Sequence, residues 1–386
     1  MMQIVTYVEN LEQLQLYLSY GITNAIVGHK DLSRYRGLNQ VEFNHLCNQA
    51  RAHNFSLSLE WDILMTEDDF QTALQSFKQL DLSYFSSIRV QDPGALEYVM
   101  QHTSLPVELI LENGNHNLLA VQSWINYIGP RLKKVVLGIE LPHSTLATWL
   151  PQLSVDCEIL VLGRILLFYT PRKLLSPLAK EENLEVIEAI GSSEESPHKG
   201  FPLEETKHGT FMFHIKDFCV LDHLQDLALL KLSSFRIDMR WLEFSKFDNI
   251  LNLVKDQKNL NENEMADLKQ LWPQDLMKGF YRVNKTDVLF DKLKNKKLNK
   301  KEDRYLGLVL ENYKKRGMVV QFKNSKHVLS VGSKVSIMTP QGDDFELEIE
   351  WIENSSGVRI HEISGEMVVL INSRNGILSR SVIHLI

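Results

Sequence analysis

Carboxylates and guanidinium groups recur in close pairs along this chain: Glu60 with Asp62, Arg89 with Asp92, Glu112 with Asn113, Glu140 with His143, then Arg164, and finally Arg236, Asp238 and Arg240. Such groups gain chemistry when they converge. Arginine grips a carboxylate or phosphate in a two-pronged geometry, and a carboxylate beside it can act as general acid or base. On this basis Arg236, Asp238, Arg240 and Glu140 are candidate catalytic residues, and Glu60, Arg89, Glu112 and Arg164 are candidate ligand-binding residues. His214, Lys216 and Asp217 form a second group, in which His214 could shuttle protons near neutral pH while Lys216 and Asp217 hold a ligand. The competing reading is that these pairs satisfy one another or face water, and that His214 bonds a backbone carbonyl at a strand end. The sequence has no Ser-His-Asp order, no His-Glu-x-x-His motif, no phosphate-cradling glycine loop and no dinucleotide fingerprint.

The elements that must position these side chains are short apolar runs alternating with helix-length amphipathic stretches, the pattern of a parallel sheet covered by helices. Eight strands are predicted, over Ile4 to Tyr7, Asn24 to Val27, Ser56 to Glu60, Ser87 to Val90, Val107 to Leu111, Lys134 to Ile139, Glu158 to Leu162 and Phe235 to Asp238. Helices are predicted over Glu12 to Ser19, Gln40 to His53, Glu67 to Gln79, Gly94 to Gln101, Asn117 to Asn126 and Ser144 to Leu150, several preceded by Asn, Ser or Thr that could cap them. Eight such units predict an α/β fold, a (β/α)8 TIM-barrel-like domain over residues 1–255, with its chemistry at the C-terminal strand ends.

After Ser176 the alternation breaks. Residues 177–232 read as an insertion, with an exposed loop from Gly191 to Gly200 and a short strand from Thr210 to Ile215. Residues 256–304 form a polar, lysine-rich connection, and residues 305–386 a small antiparallel β-barrel with strands over Leu306 to Leu310, Met318 to Phe322, Lys334 to Met338, Phe345 to Ile352, Met367 to Ile371 and Ser379 to Ile383. Lys296, Lys297, Lys300 and Lys301, with Lys314, Lys315 and Arg316 beyond, place cations beside that module and could neutralise RNA phosphates. Against this, no aromatic ladder is interleaved with the lysines, which favours a solvated linker and a charged hairpin.

The run Glu158 to Ser176 resembles the diagnostic segment of peptidase family U32, the collagenase-like proteins. There, a buried strand with an acidic start runs into Gly, a cysteine, a Tyr, a second cysteine and Leu-Leu-Ser. Here Gly163, Tyr169, Arg172 and Leu174-Leu175-Ser176 remain, and Leu166 and Lys173 stand at the cysteine positions. Tyr20-Gly21-Ile22-Thr23-Asn24-Ala25, Gln91-Asp92-Pro93-Gly94, Lys134-Val135-Val136-Leu137 with Glu140-Leu141, Lys216-Asp217-Phe218-Cys219, Phe235-Arg236-Ile237-Asp238-Met239-Arg240 and Lys278-Gly279-Phe280-Tyr281 are similar to further segments of the family, in the same order. Family members that hydroxylate RNA bases or quinone precursors without oxygen use iron–sulfur clusters, which need four thiolates. This chain has three cysteines, Cys47, Cys157 and Cys219. The resemblance therefore implies a divergent member without cluster chemistry: no metal site and no cofactor are expected. The expected activity is binding of an anionic small molecule or RNA, with a protein partner as a further option. The alternative is an active family enzyme, either a peptidase or other hydrolase, or an RNA-modifying enzyme of the hydroxylation type.

Composition bounds these readings. The 386 residues, 44% of them hydrophobic, can fill one large core and one smaller one. A net charge of −7 argues against wholesale attraction to nucleic acid. No apolar run approaches the roughly 20 residues of a membrane span, the N-terminus lacks a basic-then-apolar signal, and the cysteines form no disulfide framework. A cytoplasmic protein is expected.

Overall fold

The computed structural model describes residues 2–112, 115–178, 186–192, 199–282, 304–313, 316–323, 327–340 and 343–386. The chain divides into two compact units, Met1–Asn284 and Lys285–Ile386.

In the first unit the strands are β1 (Gln3–Val5), β2 (Asn24–Gly28), β3 (Ser56–Trp61), β4 (Phe85–Val90), β5 (Val107–Leu111), β6 (Leu132–Leu137), β7 (Asp156–Gly163), β8 (Leu166–Thr170), β9 (Ile187–Ser192), β10 (Lys199–Thr206), β11 (Gly209–Phe213), β12 (Asp217–Cys219), β13 (Ser234–Ile237) and β14 (Leu276–Met277). Eight of them run parallel in the order β1-β13-β7-β6-β5-β4-β3-β2. A parallel bridge between Tyr7 and Ile26 joins the two ends, with the Val8 N–H donating to the Ile26 carbonyl at 2.9 Å and the Ile26 N–H to that of Thr6 at 2.8 Å. The expected TIM-like barrel is therefore present.

Helices α1 (Leu11–Ser19), α2 (Gln40–Ala52), α3 (Glu67–Lys78), α4 (Pro93–His102), α5 (Leu118–Ile128), α6 (His143–Trp149), α7 (Leu224–Leu229) and α8 (Phe247–Val254) fill the connections, and α9 (Glu262–Leu271) follows. Their starts are chemically fixed. The side chains of Asn10, Asn39, Thr66, Asp92 and Asn117 accept orphan backbone N–H groups of the first turns of α1 to α5, and Asn39 with Glu42 and Thr66 with Asp69 close reciprocal boxes. Leu57, Leu59, Ile88, Val90, Leu109, Val135 and Ile159 point outward into the core beneath these helices. Each such side chain, fully buried, contributes about 1.5–3 kcal/mol.

The insertion, expected to hold an exposed loop from Gly191 to Gly200 and one short strand, carries three strands that join β8 in one sheet. Strands β8-β11-β10-β9 pair antiparallel in that order, so Gly191 and Ser192 end one strand and Lys199 and Gly200 begin the next; residues 193–198 lie outside the described residues. Cross-strand bonding between β9 and β10 supplies the backbone partners that glycines and prolines had seemed to deny. Strand β12 pairs antiparallel with β7 and parallel with β14.

In the second unit eight strands pair around a core that includes Leu306, Val309, Phe322, Val335, Ile337 and Val369. Two predicted strands differ. Phe345 to Ile352 is interrupted, giving Asp344–Glu348 and Ile352–Asn354, because the Ile349 N–H donates to the Ser333 carbonyl and that of Glu350 to Asn372 Oδ1. The last strand is Val382–Leu385, displaced along the chain by the left-handed Arg380 at φ 65°. Among the described residues no helix is long and apolar enough to cross a membrane.

Candidate functional site at the barrel mouth

Period-two alternation sends an unusual set of side chains inside the barrel. The register sets Glu60 opposite Arg89, Arg89 opposite Glu108 and Glu108 opposite Lys134 across β3, β4, β5 and β6. Arg89, wholly buried, donates to Glu108 at 2.6 Å and to both oxygens of Glu158 at 2.8 and 3.1 Å. Glu108 also accepts from Ser87 at 2.6 Å and from Lys133 at 3.1 Å, and Lys134 approaches Glu158 at 3.3 Å. Burial alone pushes the Glu108 and Glu158 carboxyls up, but the neighbouring cations, Arg89 foremost, bring both down, Glu108 well below the usual carboxylate range. A buried ion network of this kind is stable only while every member keeps a partner.

Above this layer, at the C-terminal strand ends, lies a cavity of about 70 Å³. A single ordered water needs roughly 10–15 Å³, so a carboxylate or oxyanion head group has room. Tyr7 follows β1, Arg34 and Tyr35 follow β2, Glu112 follows β5, Arg164 follows β7, and Arg236, Asp238 and Arg240 come from β13 and its end; all line the cavity. Leu166 and Phe213, from the inserted sheet, and Trp241 complete its wall. The inserted sheet is held there by Tyr35 packing on Phe211 and Phe213, by His208 Nε2 at 2.7 Å from the Lys30 carbonyl, and by the Leu64 N–H donating to the Tyr169 hydroxyl at 3.1 Å. Gly163 at the end of β7 is required by closeness, since a Cβ there would stand 3.0 Å from that of Asp238.

The cavity carries four arginines against two carboxylates. Arg240 grips Asp238 with two prongs at 2.9 and 2.7 Å. Glu112 is shared by Arg34 at 3.2 Å and Arg236, and these cations overcome burial to bring its carboxyl down to about 2. Arg34 is oriented from behind by Asp62, at 2.5 Å from its Nε. Arg164 stacks on Trp241 at 3.8 Å and on Phe213 at 5.0 Å; among the described residues it forms no ion pair within 4.0 Å, although its charge acts on the carboxyls of Glu204 and Asp217. Arg34 Nη1 and Arg236 Nε are buried donors with no protein partner. Glu60 sits one side chain behind the cavity: Tyr7 donates to its Oε1 at 2.8 Å, while its Oε2 has no hydrogen-bond partner and lies 3.7 Å from Arg240. Burial and then Asp62 push its carboxyl up to about 7 against the pull of Arg240, Arg89 and Arg34.

Of the residues singled out in the sequence, the fold thus brings Arg236, Asp238, Arg240, Glu112 and Arg164 into one cavity, with Glu60 behind it and Arg89 in the ion layer below. Others lie elsewhere. Glu140 is exposed and pairs with His116 at 3.0 Å. The Lys216 N–H donates to His214 Nδ1 at 2.9 Å, fixing a turn; the Lys216 ammonium lies 3.5 Å from Asp275. Asp217 accepts from the Trp272 indole at 2.8 Å, where burial raises its carboxyl. Lys296, Lys297, Lys300 and Lys301 lie outside the described residues.

The cysteines do not assemble a cluster site. Cys157 begins β7, at the opposite end from Gly163, Cys219 ends β12, and Cys47 packs inside α2. All three thiols are buried, and burial pushes those of Cys47 and Cys157 up to about 12 and that of Cys219 to about 11. With Leu166 half-buried on β8 and lining the cavity, the donor set present does not fit a four-thiolate cluster.

A closed parallel barrel with a charged C-terminal mouth is a fold shared by many chemistries, so sequence relationship decides the class. The model of peptidase family U32 matches residues 9–299, well over half of the chain, and the protein belongs to that family. Among solved structures it is similar to the C-terminal domain of a putative U32 peptidase from Geobacillus thermoleovorans, at 21% identity over 21% of this chain and 96% of that one with a TM-score of 0.19. It is also similar to the U32 peptidase Mk0906, at 12% identity over 42% of this chain and 70% of that one with a TM-score of 0.33. None of the curated proteins matches the chain.

Proposed function

We propose that this U32-family chain binds a small anion, a carboxylate- or phosphate-bearing metabolite, in the arginine-lined mouth of its barrel. The observation that carries this reading is the excess of guanidinium there: four arginines face two carboxylates among the described lining residues, and Arg164 is in no ion pair with either of them. Stacking on Trp241 keeps the Arg164 plane fixed while leaving its donors available, which suits two-pronged capture of a planar or tetrahedral anion. Among the described lining residues there is no Ser, Thr, Cys, His or Lys to serve as a nucleophile, and both carboxylates are tied to arginines. Binding therefore has more support here than peptide hydrolysis. The test is competition among sulfate, phosphate and citrate for the purified protein, with dissociation constants compared for wild type and Arg164→Gln. Loss of one charge-assisted contact, at about 1.5–3 kcal/mol, weakens binding by roughly tenfold or more. Equal affinity in the two proteins would remove Arg164 from the site.

A further inference from the structure

We infer that an anion enters this cavity together with a proton, which is taken from solvent onto Oε2 of Glu60; this rests on the anion-binding reading above. Six buried or barrel-lining carboxylates surround the mouth and the layer beneath it. Asp62, Glu108, Glu112, Glu158 and Asp238 each have a cation within 3.3 Å. Glu60 does not. Its nearest cation is Arg240 at 3.7 Å, and the Nε and Nη2 of that arginine are already committed to Asp238. Oε1 is satisfied by the Tyr7 hydroxyl, and Oε2 is the buried atom left without a partner. Protonation would make Oε2 a hydroxyl and remove a charge that its surroundings compensate least.

The coupling to the cavity is direct. Tyr7 and Arg240 both line it, both touch Glu60, and the Arg240 guanidinium lies 3.4 Å from the centre of the Tyr7 ring. The charged and titratable groups facing Glu60 are Tyr7 after β1, Arg34 from the loop after β2, Asp62 beyond β3, Arg89 on β4 and Arg240 beyond β13. An incoming anion adds negative charge one side chain away and draws on the fields of Arg34 and Arg240, which until then lowered the cost of ionised Glu60. In a water-excluded interior both changes favour the neutral carboxyl. With burial and Asp62 already holding Glu60 at about 7, a further upward displacement falls where solution pH reads it out.

Sulfate is the probe, because it does not itself titrate near neutral pH. Its binding enthalpy is measured by calorimetry in HEPES, Tris and imidazole buffers, which differ in ionisation enthalpy. The expected result is a dependence on buffer that reports net proton uptake, largest at about pH 7–8 and vanishing near about pH 5, where Glu60 already carries the proton. Glu60→Gln should abolish that dependence and flatten the fall of sulfate affinity with rising pH. Should that variant fail to fold, Tyr7→Phe supplies a second arm: loss of the hydroxyl donor raises the Glu60 carboxyl further and moves the uptake window to higher pH. Sulfate binding with no buffer dependence in wild type overturns the proton coupling and leaves the anion site standing. Proton uptake that persists in Glu60→Gln overturns the assignment to Glu60. Absence of sulfate binding in every buffer overturns the anion site itself, and the coupling with it.

Discussion

Replacing Arg89 by Met removes the cation on which two buried carboxylates depend. Arg89 is wholly buried and makes bonds of 2.6, 2.8 and 3.1 Å to Glu108 and Glu158. After the replacement Glu108 keeps Ser87 and Lys133, whereas Glu158 keeps only Lys134 at 3.3 Å and Arg236 at 3.6 Å. Breaking a buried pair from one side costs about 3–5 kcal/mol, and two stranded carboxylates place this variant at the upper end. At about 2–4 °C per kcal/mol the barrel unit should melt at least about 10 °C lower. Urea unfolding followed by tryptophan fluorescence reads mainly this unit, which holds Trp61, Trp124, Trp149, Trp241 and Trp272. The sign with pH is a further check. In wild type the depressed Glu108 and Glu158 carboxyls contribute stability above the ordinary carboxylate range that is lost as pH falls toward their folded values. In the variant burial raises them instead, so the deficit should shrink as pH falls to about 5. Adding Glu158→Gln should return about 2 kcal/mol. A loss below about 1 kcal/mol, or one independent of pH, would refute the argument that the layer is held by mutual compensation.

Glu60→Gln should be more stable than wild type by about 1–3 kcal/mol at pH 8 and no more stable at pH 4, because a carboxyl raised to about 7 in the fold costs stability as pH rises from its unfolded value through that point; parallel denaturation curves at the two values check this. Asp92→Ala removes the oxygen that accepts from the Gly94 and Ala95 N–H groups at the start of α4 and should cost about 1 kcal/mol in the same assay, with sulfate affinity unchanged. Gly163→Ala places a Cβ 3.0 Å from that of Asp238 and 3.2 Å from Leu160, and should both destabilise by about 1–3 kcal/mol and weaken sulfate binding through the displaced Asp238–Arg240 pair; an anion affinity equal to wild type would show that the pair is not part of the site.

The barrel was legible because the outward-facing rows are apolar and the first five helices each start at a capping Asn, Thr or Asp. Arg236, Asp238 and Arg240 were legible as a group because they lie close together where the last strand ends. Arg34, Tyr35 and Tyr7 were missed. Two signals pointed to them: the polar segment from His29 to Gly37 directly after a buried strand is a strand-to-helix loop, and Tyr7 continues the inward row of β1. Glu108, Lys134 and Glu158 were missed as an interior layer, although Ser58 and Glu60, then Ser87 and Arg89, already show polar residues at period two inside strands too apolar to face water. The predicted grouping of Glu140 with the mouth failed for a simple reason. It follows Gly138 and Ile139 beyond the end of β6, where the chain has turned outward to solvent. Strand β11 was legible as the short strand from Thr210 to Ile215, whereas β8, β9 and β10 escaped sequence reading because their pairing is long-range and glycine or proline interrupts β9 and β10.

The central claim is that the barrel mouth holds an anion, and crystals of the protein soaked in selenate test it most directly through anomalous scattering from selenium. The expected result is a peak inside the cavity, within hydrogen-bonding reach of Arg34, Arg164 and Arg236, that is lost in Arg164→Gln crystals soaked in the same way. Peaks confined to surface lysines and arginines, with none in the cavity, would contradict it.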